Sequence, residues 1–322
     1  MSIGVTMGDA SGVGPEIALK AFARGEMPGD SVVIGDLEIL EHCNRTLDLD
    51  VPLRRAGGPC VRATDALNVL DMEILGTADL QIGQVSRASG AAALQYVERA
   101  TRLALDGELR AIVTLPMNKE ATRLTEPDFS GHTGYIAALC GTSRYAMMLA
   151  TDRLLVPHLS THVALREAAE GVTCERVYEV ILLTHEAACQ LKRRPRIGLL
   201  GLNPHAGEGG AFGREEIEEI EPAVERAQAE GIDAVGPLPP DTVFARALEG
   251  DYGAVVCMYH DQGHVPMKLV AFDEAVNVTL GLPIVRTSVD HGTAFDIAWQ
   301  GRASVTSFVN ACKMAEELSR PD

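Results

Sequence analysis

Histidines at regular spacing are the side chains of this sequence with the greatest potential for chemistry. They form two pairs, each spaced four residues apart, with one further histidine between the pairs: His158, His162, His205, His260 and His264. The second pair directly follows residues 254–258, an apolar run typical of a buried strand. Neutral imidazole is a common ligand of zinc-like ions, and three such ligands leave a position for substrate. The set therefore favours a metal site, although any single member is more often a hydrogen-bonded core residue.

Three cations could serve an anionic substrate. The chain has 45 acidic and 28 basic residues and a formal net charge of −17, so an anion would need locally concentrated positive charge. Lys119, Lys268 and Arg286 are the candidates, although each taken alone is more typical of a solvated surface charge. Gly131-His132-Thr133-Gly134 precedes a predicted helix and could present backbone N–H groups to a phosphate, or could simply be an N-cap.

Composition narrows the class of protein. With 322 residues, 46% hydrophobic and 23% charged, the chain is typical of a globular protein of one large or two ordinary domains. Its negative charge argues against nucleic acid and anionic membranes as partners. The seven cysteines are scattered without a CxxC pair, the N-terminus does not have the pattern of a signal peptide, and no apolar 18-residue run occurs. We therefore expect a cytoplasmic protein.

Strands that alternate with helices predict an α/β fold with a largely parallel sheet. The predicted strands are residues 3–7, 31–35, 111–114, 147–150, 154–158, 197–202, 254–258, 276–280 and 284–288, with a hairpin joining the fourth and fifth. The predicted helices are residues 17–24, 37–47, 89–105, 135–140, 175–192, 214–230 and 306–318. Residues 48–86 are less regular. The length favours two α/β subdomains with a cleft between them, but no boundary is visible in the composition.

Four predicted strands end in polar loops, and this recurrence indicates one shared cleft. The loops are Gly8-Asp9, Met117-Asn118-Lys119, Asn203-Pro204-His205 and His260-Asp261. In open α/β sheets, ligands bind beyond the carboxyl ends of the strands. A nucleotide would be held without the usual fingerprints, because GxGxxG, GxxxxGK[ST] and GxSxG are absent. Glu215 and Glu216 would repel a pyrophosphate from the glycine-rich segment 207–213.

Several longer motifs occur along the chain: Met7-Gly8-Asp9, Gly14-Pro15-Glu16, Gly131-His132-Thr133, Thr161-His162, residues 202–210, Pro240-Asp241-Thr242, Tyr259-His260-Asp261-Gln262-Gly263, residues 277–283 and residues 286–294. In this order they resemble the motifs of the 4-hydroxythreonine-4-phosphate dehydrogenases, the PdxA family. The resemblance runs nearly from end to end. It implies one PdxA-like unit over residues 1–322, made of two α/β/α subdomains and related to the isocitrate and isopropylmalate dehydrogenases.

The resemblance also implies a reaction and a set of site residues. It implies NAD- or NADP-linked oxidation, with decarboxylation, of a phosphorylated 3-hydroxy acid such as 4-phosphohydroxy-L-threonine. In a homodimer, one divalent ion (Zn, Co or Mg) would be held by His162 and His205 of one chain and His260 of the other. The remaining roles are substrate contacts at His132, Thr133, Lys268, Asn277 and Arg286, cofactor contacts at His291, Gly292, Thr293 and Ala294, and a general base at Asp241 or Lys268. A metal-dependent hydrolase is the alternative of a different class.

Three departures from the family pattern bear on the substrate and cofactor. The segment 117–120 reads Met-Asn-Lys-Glu, and His264 follows Asp-Gln-Gly ahead of the apolar Met267-Lys268-Leu269. These features resemble the second branch of the family, which oxidises 4-phospho-D-threonate or 4-phospho-D-erythronate. Trp299 stands where the family usually has glycine, so this indole could reshape the cofactor loop or cap the adenine.

Overall fold

The computed structural model describes residues 1–62 and 65–320, and the chain folds as two compact units. Unit 1 comprises Met1–Ser143 and Leu282–Asp322, and unit 2 comprises Arg144–Gly281. Unit 2 is therefore an insertion in the sequence of unit 1. The chain passes from one unit to the other at residues 143–144 and 281–282. Neither position has a Pro- or Gly-rich linker long enough to reveal the boundary in the sequence.

Strands and helices alternate along most of the chain. The strands are β1 (Ser2–Thr6), β2 (Ser31–Gly35), β3 (Leu53–Arg55), β4 (Leu67–Asp71), β5 (Leu109–Thr114), β6 (Ala146–Ala150), β7 (Leu155–His158), β8 (Ile197–Leu200), β9 (Ala234–Leu238), β10 (Ala254–Val256), β11 (Val276–Leu280) and β12 (Arg286–Val289). The α-helices are α1 (Gly14–Ala23), α2 (Leu37–Leu47), α3 (Arg87–Leu105), α4 (Lys119–Arg123), α5 (His132–Leu139), α6 (Leu165–Glu170), α7 (Cys174–Gln190), α8 (Glu221–Ala229), α9 (Pro240–Leu248), α10 (His260–Ala271) and α11 (Thr306–Leu318).

The strands of unit 1 are parallel and lie in the order β3-β4-β2-β1-β5-β12. Every residue of β1 and β2 is buried, as expected for central parallel strands covered on both faces. Ile3, Ile34, Tyr96 and Phe308 are among the largest side chains that are fully enclosed. This packed sheet brings the ends of β5 and β12, which are far apart in sequence, next to each other.

The strands of unit 2 lie in the order β11-β6-β7-β10-β8-β9 and mix two directions. The pairs β11–β6 and β6–β7 are antiparallel, whereas β7, β10, β8 and β9 run parallel. The core between this sheet and its helices includes Leu149, Val156, Val255 and Met267. Met267 belongs to α10, so this core fixes the helix that begins at His260.

The predicted α/β class and several predicted elements are confirmed. β2 and α2 have the predicted bounds, and β6 and β7 form the predicted hairpin. The prediction of a loop at His260-Asp261 is wrong, because α10 begins at His260 and continues through Pro266. Residues 48–86 contain β3 and β4, and the predicted helix 214–230 begins as a π-helical turn over Glu216–Ile220. Among the helices of the described residues, none has the length and hydropathy of a membrane span.

Candidate active site

A buried arginine lies between a strand end and a helix start in unit 1. Arg286 is the first residue of β12 and is only 2% exposed. Its Nη2 donates to Thr114 Oγ1 at 2.7 Å, and its Nη1 donates to Thr133 Oγ1 at 3.4 Å. Burial lowers the pKa of the guanidinium to about 9, so the group is still charged at neutral pH. A guanidinium placed in this way provides the local positive charge that an acidic protein needs to bind an anion.

His132 faces the same positive charge from the first turn of α5. Burial, together with the positive charges of Arg286 and Lys119, lowers the pKa of His132 to about 3. The imidazole is therefore neutral at pH 7. Its Nε2 is enclosed and has no hydrogen-bond partner among the described residues. An enclosed polar atom of this kind is costly unless a ligand satisfies it. Together with the backbone N–H groups at the start of α5, His132, Thr133 and Arg286 define what we call the anion pocket.

The four residues assigned to cofactor binding lie on a loop that follows β12 in unit 1. His291 and Gly292 are exposed, whereas Thr293 is buried and Ala294 has a left-handed φ of 44°. The carbonyl of Thr293 accepts a hydrogen bond from the backbone N–H of Val13 at 3.0 Å. The second half of this loop is thus anchored, and its first half is open to a ligand.

Trp299 lies further along the same segment and fastens it to the N-terminal loop. Its indole Nε1 donates to the carbonyl of Ala10 at 3.1 Å, and its ring centre lies 5.4 Å from that of His42. The residue is 5% exposed, so the indole is part of the packed interior of unit 1. Its φ of 59° lies in the region that favours glycine. The backbone conformation explains why glycine would be suited to this position.

Four histidines gather in unit 2 around the start of α10. His158, at the end of β7, is 1% exposed, and burial lowers its pKa to about 3, with the charges of His264 and His260 adding to the effect. The rings of His260 and His264 stack with centres 3.6 Å apart at an interplanar angle of 10°. The ring centre of His162 lies 5.7 Å from that of His260. The structure therefore brings together, within one chain, two of the three predicted ligands, His162 and His260, which the family resemblance placed on different chains. Two further imidazoles lie beside them.

The arrangement of His260 and His162 fits a pair of metal ligands. Nδ1 of His260 lies 2.7 Å from Oδ1 of Asp261, so Nδ1–H donates to the carboxylate and Nε2 is left to coordinate an ion. Two imidazoles that share a tetrahedral ion at about 2.1 Å would have ring centres about 5 to 6 Å apart. The observed 5.7 Å agrees with this figure. Across residues 1–62 and 65–320, however, no three His, Cys, Asp or Glu side chains form a ligand group within one chain.

His205 lies on a strained turn after β8. Residues 205–209 all have positive φ, and His205, Ala206 and Glu208 adopt this conformation without being glycine. The left-handed conformation costs about 1–2 kcal/mol for each such residue, so the surrounding structure must enforce it. The ring of His205 lies 6.5 Å from that of Phe212, which is 54% exposed.

Glu216 is the residue that holds this turn, and sequence reasoning missed it. It is 1% exposed, and its carboxylate accepts from the backbone N–H and the side-chain Nδ2 of Asn203 at 2.7 and 2.9 Å. A Cβ at Gly207 would lie 2.6 Å from Oε2 of Glu216, which explains the glycine there. Glu216, one of the two acidic residues predicted to repel a pyrophosphate from this segment, therefore stabilises the turn at His205 through Asn203.

The remaining predicted residues lie on separate elements of unit 2. Asp241 is exposed in the first turn of α9, and Asn277 is half-buried in β11. Lys268 lies on α10, eight residues after His260, and its Nζ is 5.1 Å from the ring centre of Phe272. Because helical residues spaced by four lie on one side, His260, His264 and Lys268 form a stripe along α10.

Asp9 is a further polar residue that stood at a predicted strand end but received no role. It is fully buried in unit 1, and burial raises its pKa from 3.8 to about 6. Oδ1 accepts from the backbone N–H of Ser11 at 2.9 Å, and hydrogen bonds from the backbone of Ser11 and Asn118 oppose this rise in pKa. A buried carboxyl with a raised pKa is a candidate functional group.

Comparison with known proteins places this geometry in a family. The family model described as "Pyridoxal phosphate biosynthetic protein PdxA" matches residues 29–315. A D-threonate 4-phosphate dehydrogenase of Pectobacterium atrosepticum is 44% identical over 98% of this chain and 99% of the relative. A 4-hydroxythreonine-4-phosphate dehydrogenase of Geobacter metallireducens is 45% identical over 98% of this chain and 95% of the relative.

Solved structures agree with the sequence relatives. The 4-hydroxythreonine-4-phosphate dehydrogenase of Klebsiella pneumoniae superimposes with a TM-score of 0.88 at 42% identity, covering 99% of both chains. A beta-decarboxylating dehydrogenase of Thermococcus kodakarensis shares the fold, with a TM-score of 0.53 at 14% identity over 99% of this chain and 84% of the other. The predicted fold class and the predicted resemblance to the PdxA family are confirmed, and the chain belongs to the PdxA family.

Proposed function

We propose that the chain is a metal- and nicotinamide-dependent dehydrogenase that oxidises the hydroxyl of a phosphorylated 3-hydroxy acid. The observation that carries this proposal is the anion pocket, whose buried Arg286, neutral His132 and α5 N-terminus suit a phosphate. The names of the relatives favour a dehydrogenase over a hydrolase.

Each group of predicted site residues would have a separate role in this reaction. Arg286, Thr133 and His132 would bind the phosphate, and Lys268 and Asn277 would contact the rest of the substrate. Asp241 or Lys268 would take the proton of the substrate hydroxyl, while a hydride passes from the carbon that carries this hydroxyl to the nicotinamide of NAD or NADP. A divalent ion at His162, His205 and His260 would stabilise the negative charge that develops on the substrate oxygen. The resulting β-keto acid can then lose CO₂.

The loop 291–294 would hold the nicotinamide cofactor, since its first half is exposed and its second half is anchored to Val13. No dinucleotide fingerprint is then required, because the loop replaces it. The cysteines are all free, which fits a reducing compartment, so we propose that the enzyme works in the cytoplasm.

A homodimer with a shared site is supported by two features of unit 2. Within residues 1–62 and 65–320, the predicted ligands His162 and His260 are not part of any group of three His, Cys, Asp or Glu side chains that could hold a metal ion. On α10, which begins at His260, and at the residue that follows it, large apolar side chains are exposed: Val265 is 63%, Leu269 85% and Phe272 70% exposed. Apolar side chains that cluster in this way are typical of a protein–protein contact. We propose that His205 and His260 enter each site from different chains.

Mixing two inactive variants tests the sharing directly. His205→Ala and His260→Ala homodimers should each be inactive. After their subunits are exchanged, half of the dimers should be hybrids with one intact site, which restores about a quarter of the wild-type activity. Recovery of no activity in a mixture shown to contain hybrids would contradict a shared site. Mixing His162→Ala with His260→Ala then shows which chain supplies His162.

Two assays test the reaction itself. NADH or NADPH formation upon addition of substrate, followed by absorbance, supports the dehydrogenase, and substrate loss without reduced nicotinamide would instead support a hydrolase. Relatives of nearly equal identity carry two different substrate names. Turnover of D-threonate 4-phosphate and 4-hydroxythreonine 4-phosphate should therefore be compared side by side, with CO₂ release as the measure of decarboxylation.

A further inference from the structure

We propose that His264 is a positioning residue that holds the imidazole of His260 in the orientation needed for coordination. This inference rests on the proposed role of His260 as a metal ligand. The two rings are nearly parallel, with an interplanar angle of 10° and centres 3.6 Å apart. Such face-to-face contact restricts rotation of the His260 ring about its side-chain bonds.

The orientation of His264 is itself fixed by two contacts of one nitrogen. Its Nδ1 lies 3.1 Å from the carbonyl oxygen of His260 and 3.1 Å from Nε2 of His158. A carbonyl oxygen can only accept, so Nδ1 of His264 carries the hydrogen, and Nε2 of His158 accepts. His158 is 1% exposed at the end of β7, so it provides a rigid support for the stacked ring.

Gly263 allows α10 to pack closely against His158. A Cβ at this position would overlap Nε2 of His158 and would lie 2.8 Å from Cγ1 of Val156. Only glycine therefore allows the first turn of α10 to approach β7 closely enough for His264 to reach His158. The stack on His260 thus depends on a chain of contacts that begins in the core of unit 2.

His260 needs such support because it is partly exposed. Its side chain is 38% exposed and its partner Asp261 is 76% exposed, so the hydrogen bond between them is accessible to water. One hydrogen bond at Nδ1 leaves the ring free to swing about that contact. The stacked His264 supplies the second restraint, as residues around a metal ligand commonly do.

Titration of Co²⁺ into the metal-free, full-length protein tests this role. Affinity and the visible absorption of bound Co²⁺ are measured for the wild type, for His264→Leu, which loses the flat ring and the hydrogen bond, and for His264→Phe, which retains the ring. We expect His264→Leu to weaken Co²⁺ binding about 10- to 100-fold and to alter the spectrum. His264→Phe should recover part of the affinity because stacking is retained.

His185→Leu is the matched control, since His185 lies on α7 of the same unit and contacts Cys189 at 3.7 Å. It should bind Co²⁺ like the wild type. If His264→Leu, shown to be folded by circular dichroism, retains wild-type affinity and spectrum, the inference is overturned. Equal losses in the Leu and Phe variants and in the His185 control would mean a general structural effect and would also overturn it. A wild-type protein that binds no Co²⁺ would contradict the metal site proposed above, and this inference with it.

Discussion

The anion pocket of unit 1 and the histidines of unit 2 differ in how complete they are within one chain. In the anion pocket, Arg286 is 2% exposed and already donates to two hydroxyls. Among the histidines, His260 is partly exposed and its predicted partners do not form a group of three ligands in the described part of the chain. Arg286 is therefore already removed from water in the folded chain, whereas the proposed metal site would be completed only by binding.

This difference suggests what each group of residues contributes to binding. A buried guanidinium costs free energy during folding, but it can then bind an anion with little reorganisation. Imidazole side chains that act as metal ligands become functional only when they bind an ion together with further ligands. Loss of a residue should therefore affect metal retention in unit 2 and substrate affinity in unit 1. The first two of the following four changes test this division, and the other two test stability and cofactor binding in unit 1.

His260→Ala should have the largest effect, because it removes a ligand from a site that is incomplete in a single chain. We expect loss of bound metal and a fall in turnover of about a thousandfold or more, which corresponds to several kcal/mol of transition-state stabilisation. Metal content by mass spectrometry of the purified protein and initial rates measure the two effects. An active variant with a full complement of metal would show that the site has been wrongly assigned.

Arg286→Lys should follow, with its effect on substrate affinity. A lysine retains the charge but cannot donate to Thr114, Thr133 and an anion in the same planar arrangement. We expect kcat/KM for the phosphorylated substrate to fall about a hundredfold, mainly through KM, while metal content stays unchanged. Arg110→Lys is the control, since Arg110 binds Asp30 in the same unit. Equal KM values in the Arg286 variant and the wild type would exclude this pocket as the phosphate site.

Asp9→Asn should stabilise the protein at neutral pH. The pKa of Asp9 is raised in the folded state from 3.8 to about 6, so the folded state binds more protons than the unfolded state between these values. The wild type therefore loses stability as pH rises through this window, and the loss is complete above about pH 6. The asparagine variant should be more stable at pH 8 by up to about 3 kcal/mol.

Urea unfolding at pH 8 and pH 4.5 measures this difference, which should shrink at the lower pH. Asp152→Asn, a change at a carboxylate that is 97% exposed, serves as the control and should alter stability little at either pH. An Asp9 variant no more stable than the wild type at pH 8 would show that another group compensates the buried carboxylate.

The sequence predicted the elements whose apolar pattern and boundaries are clear, such as β2, the amphipathic α2 and the β6–β7 hairpin. It failed for α10, because this helix begins with polar residues and contains a proline, both typical of a loop. The contact of Arg286 with Thr114 joins residues 172 positions apart, so no local pattern reveals it. The spacing of His260 and His264 was visible, but the role of His158 between strand and helix was not.

The contact of Trp299 with Ala10 also joins residues that are distant in sequence. Replacing Trp299 should have the smallest effect of the four changes. Trp299→Phe retains most of the bulk but loses the hydrogen bond from Nε1 to Ala10, worth about 1 kcal/mol. We expect the melting temperature to fall by about 2 °C and KM for the nicotinamide cofactor to rise a few-fold, with substrate KM unchanged. Phe308→Leu, a change at a fully buried residue of α11, should lower the melting temperature without changing KM for the cofactor. If both variants change KM for the cofactor equally, the hydrogen bond from Trp299 has no specific role in holding the cofactor loop.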